Sequence, residues 1–339
     1  MNNIKGTLKE NKFHTGQVIL LTGGAGFIGS HLAEKLIKEG YPVICLDNFS
    51  DFYTPKLKED NVKELKESPN FTLVRGDILD KDLLEKVFRE NQISKIVHLA
   101  AIPGVRQSVK DPFVYIDVDI KGTVNLLEMA KTYQVSHFVF GSSSTVYGQD
   151  LKAPFSEDEK NLNPISPYGI SKLAGEKFCQ TYNQLYKIPI TILRYFAAYG
   201  QRQRPELALH KFIRLAKQGK PIPRYGSGES ARDYTYIDDI VEGTMKAIKK
   251  KFDFEIFNLG NSKPIKLKDL IATLAKKLDR KLQIEKLPDQ LGDVPITYAD
   301  ISKSKKLLDW EPKISLEEGI EKFLAWHKEK EEFLNSLNL

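Results

Sequence analysis

Apolar residues along the chain alternate between short uninterrupted runs and longer stretches in which they recur at helical spacing. The runs at 18–21, 42–46, 71–75, 95–100, 137–140 and 188–193 read as strands. Between them, residues 32–37 closed by Gly40, and the stretches 82–90, 111–133 and 168–185, read as helices. Asp111-Pro112 supplies an aspartate cap and a first-turn proline for the longest of these. Such alternation predicts an α/β fold, a doubly wound parallel sheet of the Rossmann kind with helices on both faces. From Gln201 the pattern changes to Pro-, Gly- and Arg-rich connections with separate helices at 207–218 and 267–277. The run 255–259 reads as one more strand of the large sheet. The expected organisation is therefore a Rossmann domain from residues 16–196 plus 236–260, and a second, smaller α/β lobe for substrate from 197–235 plus 261–330.

With 339 residues the chain can bury a large core, and the size suggests about two domains. Net charge is +6, but Lys and Glu are interspersed, so neither nucleic acid nor membrane is an expected partner. A mild positive balance fits an anionic nucleotide ligand or a solvated surface. Cys45 lies in a strand run and Cys179 in a helical stretch, without metal-ligand or disulfide spacing, so no metal site is expected. Residues 1–15 are polar and Lys-rich without an apolar segment of signal type, and no run is long enough for a membrane span. The expectation is a cytoplasmic protein.

Chemistry enters at residues 17–31, QVILLTGGAGFIGSH. A strand run is followed by Gly23, Gly26 and Gly29 and then by a helical pattern. Glycines there permit a tight turn and let backbone N–H groups and the helix N-terminus approach a pyrophosphate. Asp47 closes the second strand run, where an acid can accept from an adenosine ribose and would repel a 2′-phosphate, favouring NAD over NADP. The alternative is a strand-to-helix loop with glycines for packing alone. Ligands of open parallel sheets sit at strand carboxyl ends, where Gly23, Asp47, Asp77, Ala100, Ser143 and Arg194 fall.

Tyr168 and Lys172 stand four residues apart, stacked on one helix face. Lowering a phenol from about 10 by three units means favouring the phenolate by roughly 4 kcal/mol, which a nearby ammonium and a nicotinamide cation can supply. A surface Tyr/Lys pair is the bland alternative.

The segments TGGAGFIGSH, HLAA, SSSTVYG, SPYGISK, LRYF, RDYTYIDDI and GDVPITYADISK occur in this order over nearly the whole chain. In them the chain resembles extended short-chain dehydrogenases/reductases, specifically NAD-dependent nucleotide-sugar epimerases. The resemblance implies a catalytic Ser143, Tyr168 and Lys172. It places the cofactor against Gly23, Gly26, Phe27, Ile28, Gly29, Asp47, Asn48, Asp77, Ile78, Leu99, Ala100, Ala101, Tyr168, Lys172 and Tyr195. It places a UDP-sugar against Arg106, Ser143, Ser144, Thr145, Arg204, Leu209, Arg232 and Asp293, and implies a homodimer through the helices at 111–133 and 168–185. Arg232 could instead pair with Asp233 as an ordinary loop salt bridge.

IPGVRQS, DNFSDFYTPKL, QRQRPELALHKF and QLGDVPITYADISKSKKL are similar to segments of UDP-glucuronate 4-epimerases. A uronate carboxylate needs donors, which Ser143, Ser144 and Thr145 can offer, with Arg106 or Arg204 as longer-range charges or merely as phosphate contacts or surface charges. The chain departs from the family pattern at Ala197-Ala198, where uronate enzymes commonly place Thr and neutral-sugar enzymes Asn, and at Asp119, where Asn is usual. The other readings are 4-epimerisation of UDP-glucose or UDP-N-acetylglucosamine, a dehydratase or decarboxylase, and a non-catalytic NAD-binding regulator. Dehydratases place Asp-Glu after the active-site Ser/Thr and glucuronate decarboxylases place Glu near it, whereas this chain has Ser144-Thr145. A regulator would need neither Tyr168 nor Lys172.

Overall fold

The seven runs read as strands lie side by side in one sheet, and every pairing in it is parallel. The structure, a computed structural model, describes residues 17–149, 151–288 and 294–337. In chain order the strands are β1 (Val18–Thr22), β2 (Val43–Asp47), β3 (Phe71–Arg75), β4 (Ile93–His98), β5 (His137–Ser143), β6 (Ile190–Tyr195) and β7 (Ala197–Tyr199). They continue as β8 (Ile222–Tyr225), β9 (Ala231–Tyr236), β10 (Phe254–Leu259), β11 (Pro264–Lys266), β12 (Ile284–Leu287) and β13 (Ile296–Thr297). The large sheet has the order β10-β6-β5-β4-β1-β2-β3. The chain therefore winds outward from β1 through β3, crosses back to β4 and winds the other way. This reversal opens a crevice at the carboxyl ends of β1 and β4.

Successive strand residues enter two different cores, as period-two geometry demands. Ile19, Leu21, Val43, Cys45, Val97 and Val139 pack on one face; Leu20, Ile44, Leu46, Ile96, Phe138 and Phe140 pack on the other. Both faces are covered, which is why these strands read as continuous apolar runs instead of alternating ones.

The helix expected over 111–133 is divided. Asp111 Oδ1 accepts from the Phe113 N–H at 3.2 Å, and Phe113–Tyr115 is α-helical. Ile116–Lys121 then turns π-helical before the α-helix Gly122–Thr132. An extra residue in a turn shifts the apolar pattern only over these few positions, too short a stretch for spacing to reveal. The helix Pro167–Tyr186 starts as anticipated, with the Ser166 hydroxyl accepting from Gly169 N–H at 3.1 Å and proline at its first position.

In the smaller lobe β9 pairs with β7 and β13 in parallel and with β11 antiparallel, while β8 pairs with β12. Asp233 on β9 is fully buried, and its carboxylate accepts from the backbone N–H groups of Asn261, Ser262 and Ala299 at 2.5, 3.0 and 2.9 Å. Burial pushes its pKa up to about 6 in spite of these donors. Among the described residues no helix is long and apolar enough to cross a membrane. Cys45 and Cys179 are buried free thiols.

Candidate active site

The turn after β1 is built on close backbone approach. Gly23 adopts φ +70°, and a Cβ there would stand 2.7 Å from the Ala100 backbone nitrogen; a Cβ at Gly29 would overlap the Gly23 carbonyl oxygen. Only glycine fits either place. The helix Phe27–Lys38 that follows has no side-chain cap and no acid in its first turn, so its leading N–H groups are open to an anion.

Asp47 sits beside this turn, buried, its Oδ2 accepting from Ala25 N–H at 3.1 Å and its Oδ1 from Phe49 N–H at 2.8 Å. The Lys58 ammonium, also buried, lies 3.6 Å from Oδ1. A carboxylate has about four lone-pair positions, so a ribose hydroxyl can still be accepted. Lys58 narrows the repulsion of a 2′-phosphate that Asp47 alone would exert. Asn48 Nδ2 donates to Asp77 Oδ2 at 2.9 Å, joining the ends of β2 and β3. The Ile78 carbonyl is held by Asn125 Nδ2 at 3.0 Å. The N–H groups of Leu99 and Ala100 are tied to the Thr22 carbonyl and hydroxyl, at 3.1 and 3.2 Å. Gly23, Gly26, Phe27, Ile28, Gly29, Asp47, Leu99, Ala100 and Ala101 are thus gathered at one crevice. The Tyr195 side chain is turned away from it, sharing a 3.0 Å hydrogen bond with Thr244 inside the core, so that residue can offer the crevice only its backbone.

Ser143 ends β5, and its Oγ accepts from the Thr145 N–H and hydroxyl at 3.2 and 3.0 Å. The helix carrying Tyr168 starts against this turn: a Cβ on Gly169 would stand 2.9 Å from the Thr145 carbonyl oxygen. Tyr168 is half-buried, its ring edge-on to Tyr115 at 6.1 Å. Lys172 is buried and donates to the Gly141 carbonyl at 3.1 Å, two residues before Ser143 on the same strand. Lys172 is thus tied to the strand that ends in Ser143, and Tyr168 stands one turn before Lys172 on the helix Pro167–Tyr186.

Arg194 is placed differently from the expectation of a strand-end ligand. Its Nε and Nη2 donate to Glu176 Oε1 and Oε2 at 2.9 and 2.7 Å, and Ser142 Oγ donates to Oε1 at 2.6 Å. The Tyr147 ring lies 4.8 Å from the guanidinium, and its hydroxyl donates to Asn258 Oδ1 at 2.7 Å. This buried chain of polar groups fixes β5 against the Tyr168 helix and reaches across to β10. Glu176, Tyr147 and Asn258 escaped the sequence reading because partners far apart in sequence leave no local pattern.

Of the expected substrate residues, Ser144 and Thr145 are half-buried beside Ser143. Arg106 lies over the Tyr225 ring at 5.2 Å. Arg204 lies over Phe52 at 5.6 Å and is ion-paired to Glu206 at 3.2 Å. Arg232 does not pair with Asp233, whose oxygens are taken by backbone donors; its Nη1 donates to the Ala231 carbonyl at 2.7 Å. The helix read at 207–218 is found at Ala208–Lys217, and the Leu209 side chain is buried in the core. Asp293 lies outside the described residues. Among those residues no cluster of His, Cys, Asp or Glu could hold a metal.

A doubly wound sheet with a glycine turn, a strand-end acid and a Ser–Tyr–Lys set defines the class: a dinucleotide-dependent enzyme of the short-chain dehydrogenase/reductase type. The chain belongs to the nucleotide-sugar branch of that class, since the family model described as GDP-mannose 4,6 dehydratase matches residues 20–323. UDP-glucuronate 4-epimerase of Thermodesulfobacterium geofontis is 43% identical over 322 residues, covering 94% of this chain and 99% of that protein. The crystal structure of UDP-glucuronic acid 4-epimerase from Bacillus cereus, in complex with UDP-glucuronic acid and NAD, matches with TM-score 0.86 at 39% identity, covering 92% of this chain and 99% of that one. UDP-glucose 4-epimerase of Thermotoga maritima, solved with UDP-glucose, matches with TM-score 0.85 at 33% identity, covering 93% and 99%.

Proposed function

We propose that this protein is an NAD-dependent 4-epimerase that interconverts UDP-glucuronate and UDP-galacturonate. The observation that carries the reading is Lys172 held on the Gly141 carbonyl of the strand that ends in Ser143, with Tyr168 one turn before it, in the same parallel sheet whose first strand ends in a turn only glycine fits. The similarity to UDP-glucuronate 4-epimerases over nearly the full chain supports the choice of sugar. Residues 16–196 with 236–260 carry the cofactor, and residues 197–235 with 261–330 hold the nucleotide sugar.

Bound NAD supplies a hydride acceptor and then a hydride donor at C4 of the sugar. The protein's part is the proton and the orientation. The Tyr168 phenol takes the proton of the C4 hydroxyl, and Ser143 holds that oxygen by a hydrogen bond. Lys172, anchored on the Gly141 carbonyl, keeps a positive charge near the phenol. The resulting 4-keto sugar turns about its diphosphate link so that C4 would take the hydride back on its other face, while Tyr168 returns the proton to the C4 oxygen. Arg232, together with Asp293 from its segment, is assigned to the nucleotide diphosphate and ribose; Ser144, Thr145, Arg106 and Arg204 are assigned to the uronate.

Elimination to a dehydrated product needs an acid beside the sugar. Two carboxylates on the elements around β5 are committed: Glu176 to Arg194 and Ser142, and Asp119 to Ile102 N–H and Ser171. That favours epimerisation over the dehydratase chemistry in the family's name.

The enzyme works as a homodimer. Phe113, Ile116, Ile170 and Leu185 are 73, 53, 54 and 65% exposed on the two neighbouring helical stretches Phe113–Thr132 and Pro167–Tyr186, an apolar face that a second copy would cover. The cytoplasm is its assigned compartment, where two free thiols persist. The test is incubation of the purified protein with UDP-glucuronate, UDP-glucose and UDP-N-acetylglucosamine separately, with chromatography of the products. UDP-galacturonate is the expected main product; a stable 4-keto product or release of carbon dioxide would refute the reading.

A further inference from the structure

Arg232 and Asp233 are neighbours on β9, so their side chains stand on opposite faces of that strand. Asp233 is fully buried, whereas Arg232 is half-buried. β9 lies between β11 and β13, and both are in register with Arg232, through Ile265 on one side and Thr297 on the other. β11 meets β9 over three residues and β13 over two. Pairings this short hold a strand weakly by their backbones alone.

The Asp233 carboxylate reinforces both pairings from the buried face. Its Oδ1 accepts from the Asn261 N–H and its Oδ2 from the Ser262 N–H, just before β11, at 2.5 and 3.0 Å. Oδ2 also accepts from the Ala299 N–H, just after β13, at 2.9 Å. One side chain thus fastens the flanks of both neighbouring strands to the middle one, beside Arg232. The fit is close: a Cβ on Gly260 would stand 2.7 Å from Oδ2 and 2.7 Å from the Ala299 Cβ. Burying a carboxylate is costly, and apolar packing commonly serves stability as well. What apolar packing lacks is the means to set three backbone positions through directed hydrogen bonds.

We propose that Asp233 is a positioning residue for substrate binding, fixing β9 against β11 and β13 so that Arg232 is presented to the diphosphate of the nucleotide sugar. The proposal rests on the UDP-sugar reading of the smaller lobe and deepens it. An asparagine side chain has one oxygen where the carboxylate has two, and it turns an NH2 toward backbone N–H groups. Asp233→Asn therefore loosens the clamp with almost no change of volume.

The test is calorimetric titration of UDP into the NAD-loaded protein for wild type, Asp233→Asn, Arg232→Ala and the double variant. Each single change should weaken UDP by about tenfold or more, the range of a hydrogen bond to a charged group. The double variant should lose no more than about twofold beyond the weaker single, because Asp233 acts through Arg232. In Asp233→Asn, NAD affinity should hold and KM for the UDP-sugar should rise at unchanged kcat, a split that general loosening of the fold would not give. UDP affinity within about twofold of wild type in either single variant, or losses that multiply in the double variant, would overturn the proposal. A wild-type protein that binds no UDP would overturn the nucleotide-sugar reading and the proposal with it, so the two failures are told apart. Should Asp233→Asn fail to fold, Gly260→Ala, which presses on Oδ2, decides by the same cycle: UDP several-fold weaker, with no further loss on top of Arg232→Ala, is expected, and wild-type affinity would overturn the proposal.

Discussion

Replacing Glu176 by Gln removes one charge from the buried pair that fixes β5 to the Tyr168 helix. The side chains of Arg194 and Glu176 are 2 and 4% exposed, so water cannot take over from the lost carboxylate. Gln keeps one oxygen for Ser142 and the Arg194 Nε, but the guanidinium is left buried without a counter-charge. Breaking a buried pair in this way costs about 3–5 kcal/mol. The Tyr147 ring already faces the cation at 4.8 Å in the intact protein, so it offers no new compensation. Urea unfolding of the cofactor-free protein, followed by circular dichroism, should show that loss as a lower midpoint at unchanged slope. A matched apolar replacement, Glu176→Leu with Arg194→Met, should recover most of it, because burying the pair was itself costly. A Glu176→Gln protein within about 1 kcal/mol of wild type would refute the reasoning, since the pair would then not be the desolvated contact described here.

Three further outcomes are expected. Tyr168→Phe should keep the fold and bind NAD but lose at least about a hundredfold in kcat, the usual value of a general base, and near-wild-type turnover would remove Tyr168 from the mechanism. Asp47→Ala should weaken NAD and narrow its advantage over NADP in fluorescence titrations; a wild-type protein that prefers NADP would contradict the role given to Asp47. Burial lowers His137 and His210 from 6.5 to about 4, so the folded state holds them neutral while the unfolded chain protonates them. Their stabilisation is complete above pH 6.5 and is lost as pH falls toward 4, by about 2 kcal/mol per histidine at pH 5. Urea midpoints that stay flat from pH 7 to 5 would contradict this.

The sheet and the cofactor crevice were legible because their signals are local. Gly29 is demanded by the backbone of Gly23 and Gly24 within the motif itself, and Tyr168 and Lys172 need only one helical turn. Domain-scale alternation of strand and helix made the parallel sheet readable, and the run at 255–259 did join it as β10. What escaped was non-local or conformationally subtle. Glu176 and Arg194 are eighteen residues apart, yet they become partners only because β6 lies beside β5 beneath the helix. The π-helical turns at Ile116–Lys121 are too short a stretch to mark the apolar pattern of a helix read over 111–133, and that Leu209 turns into the core depends on packing with distant elements. The helix Ile237–Lys249 was not anticipated, though it packs beside Phe27–Lys38, because the acids Asp238 and Asp239 in its first turn interrupt the apolar pattern there.

The site proposed at Ser143, Tyr168 and Lys172 acts, on this reading, on a uronate. Ala197, on β7, lacks a hydroxyl that related uronate enzymes commonly use, and one lost hydrogen bond to a charged group is worth about 1.5–3 kcal/mol. If Ser144, Thr145 and an arginine remain as donors, recognition weakens by roughly ten- to a hundredfold without reversing. The decisive measurement is kcat/KM for UDP-glucuronate against kcat/KM for UDP-glucose on the same NAD-loaded preparation. A ratio above one, with UDP-galacturonate as product, is predicted; a ratio below one would contradict the uronate assignment and make the protein a neutral-sugar epimerase.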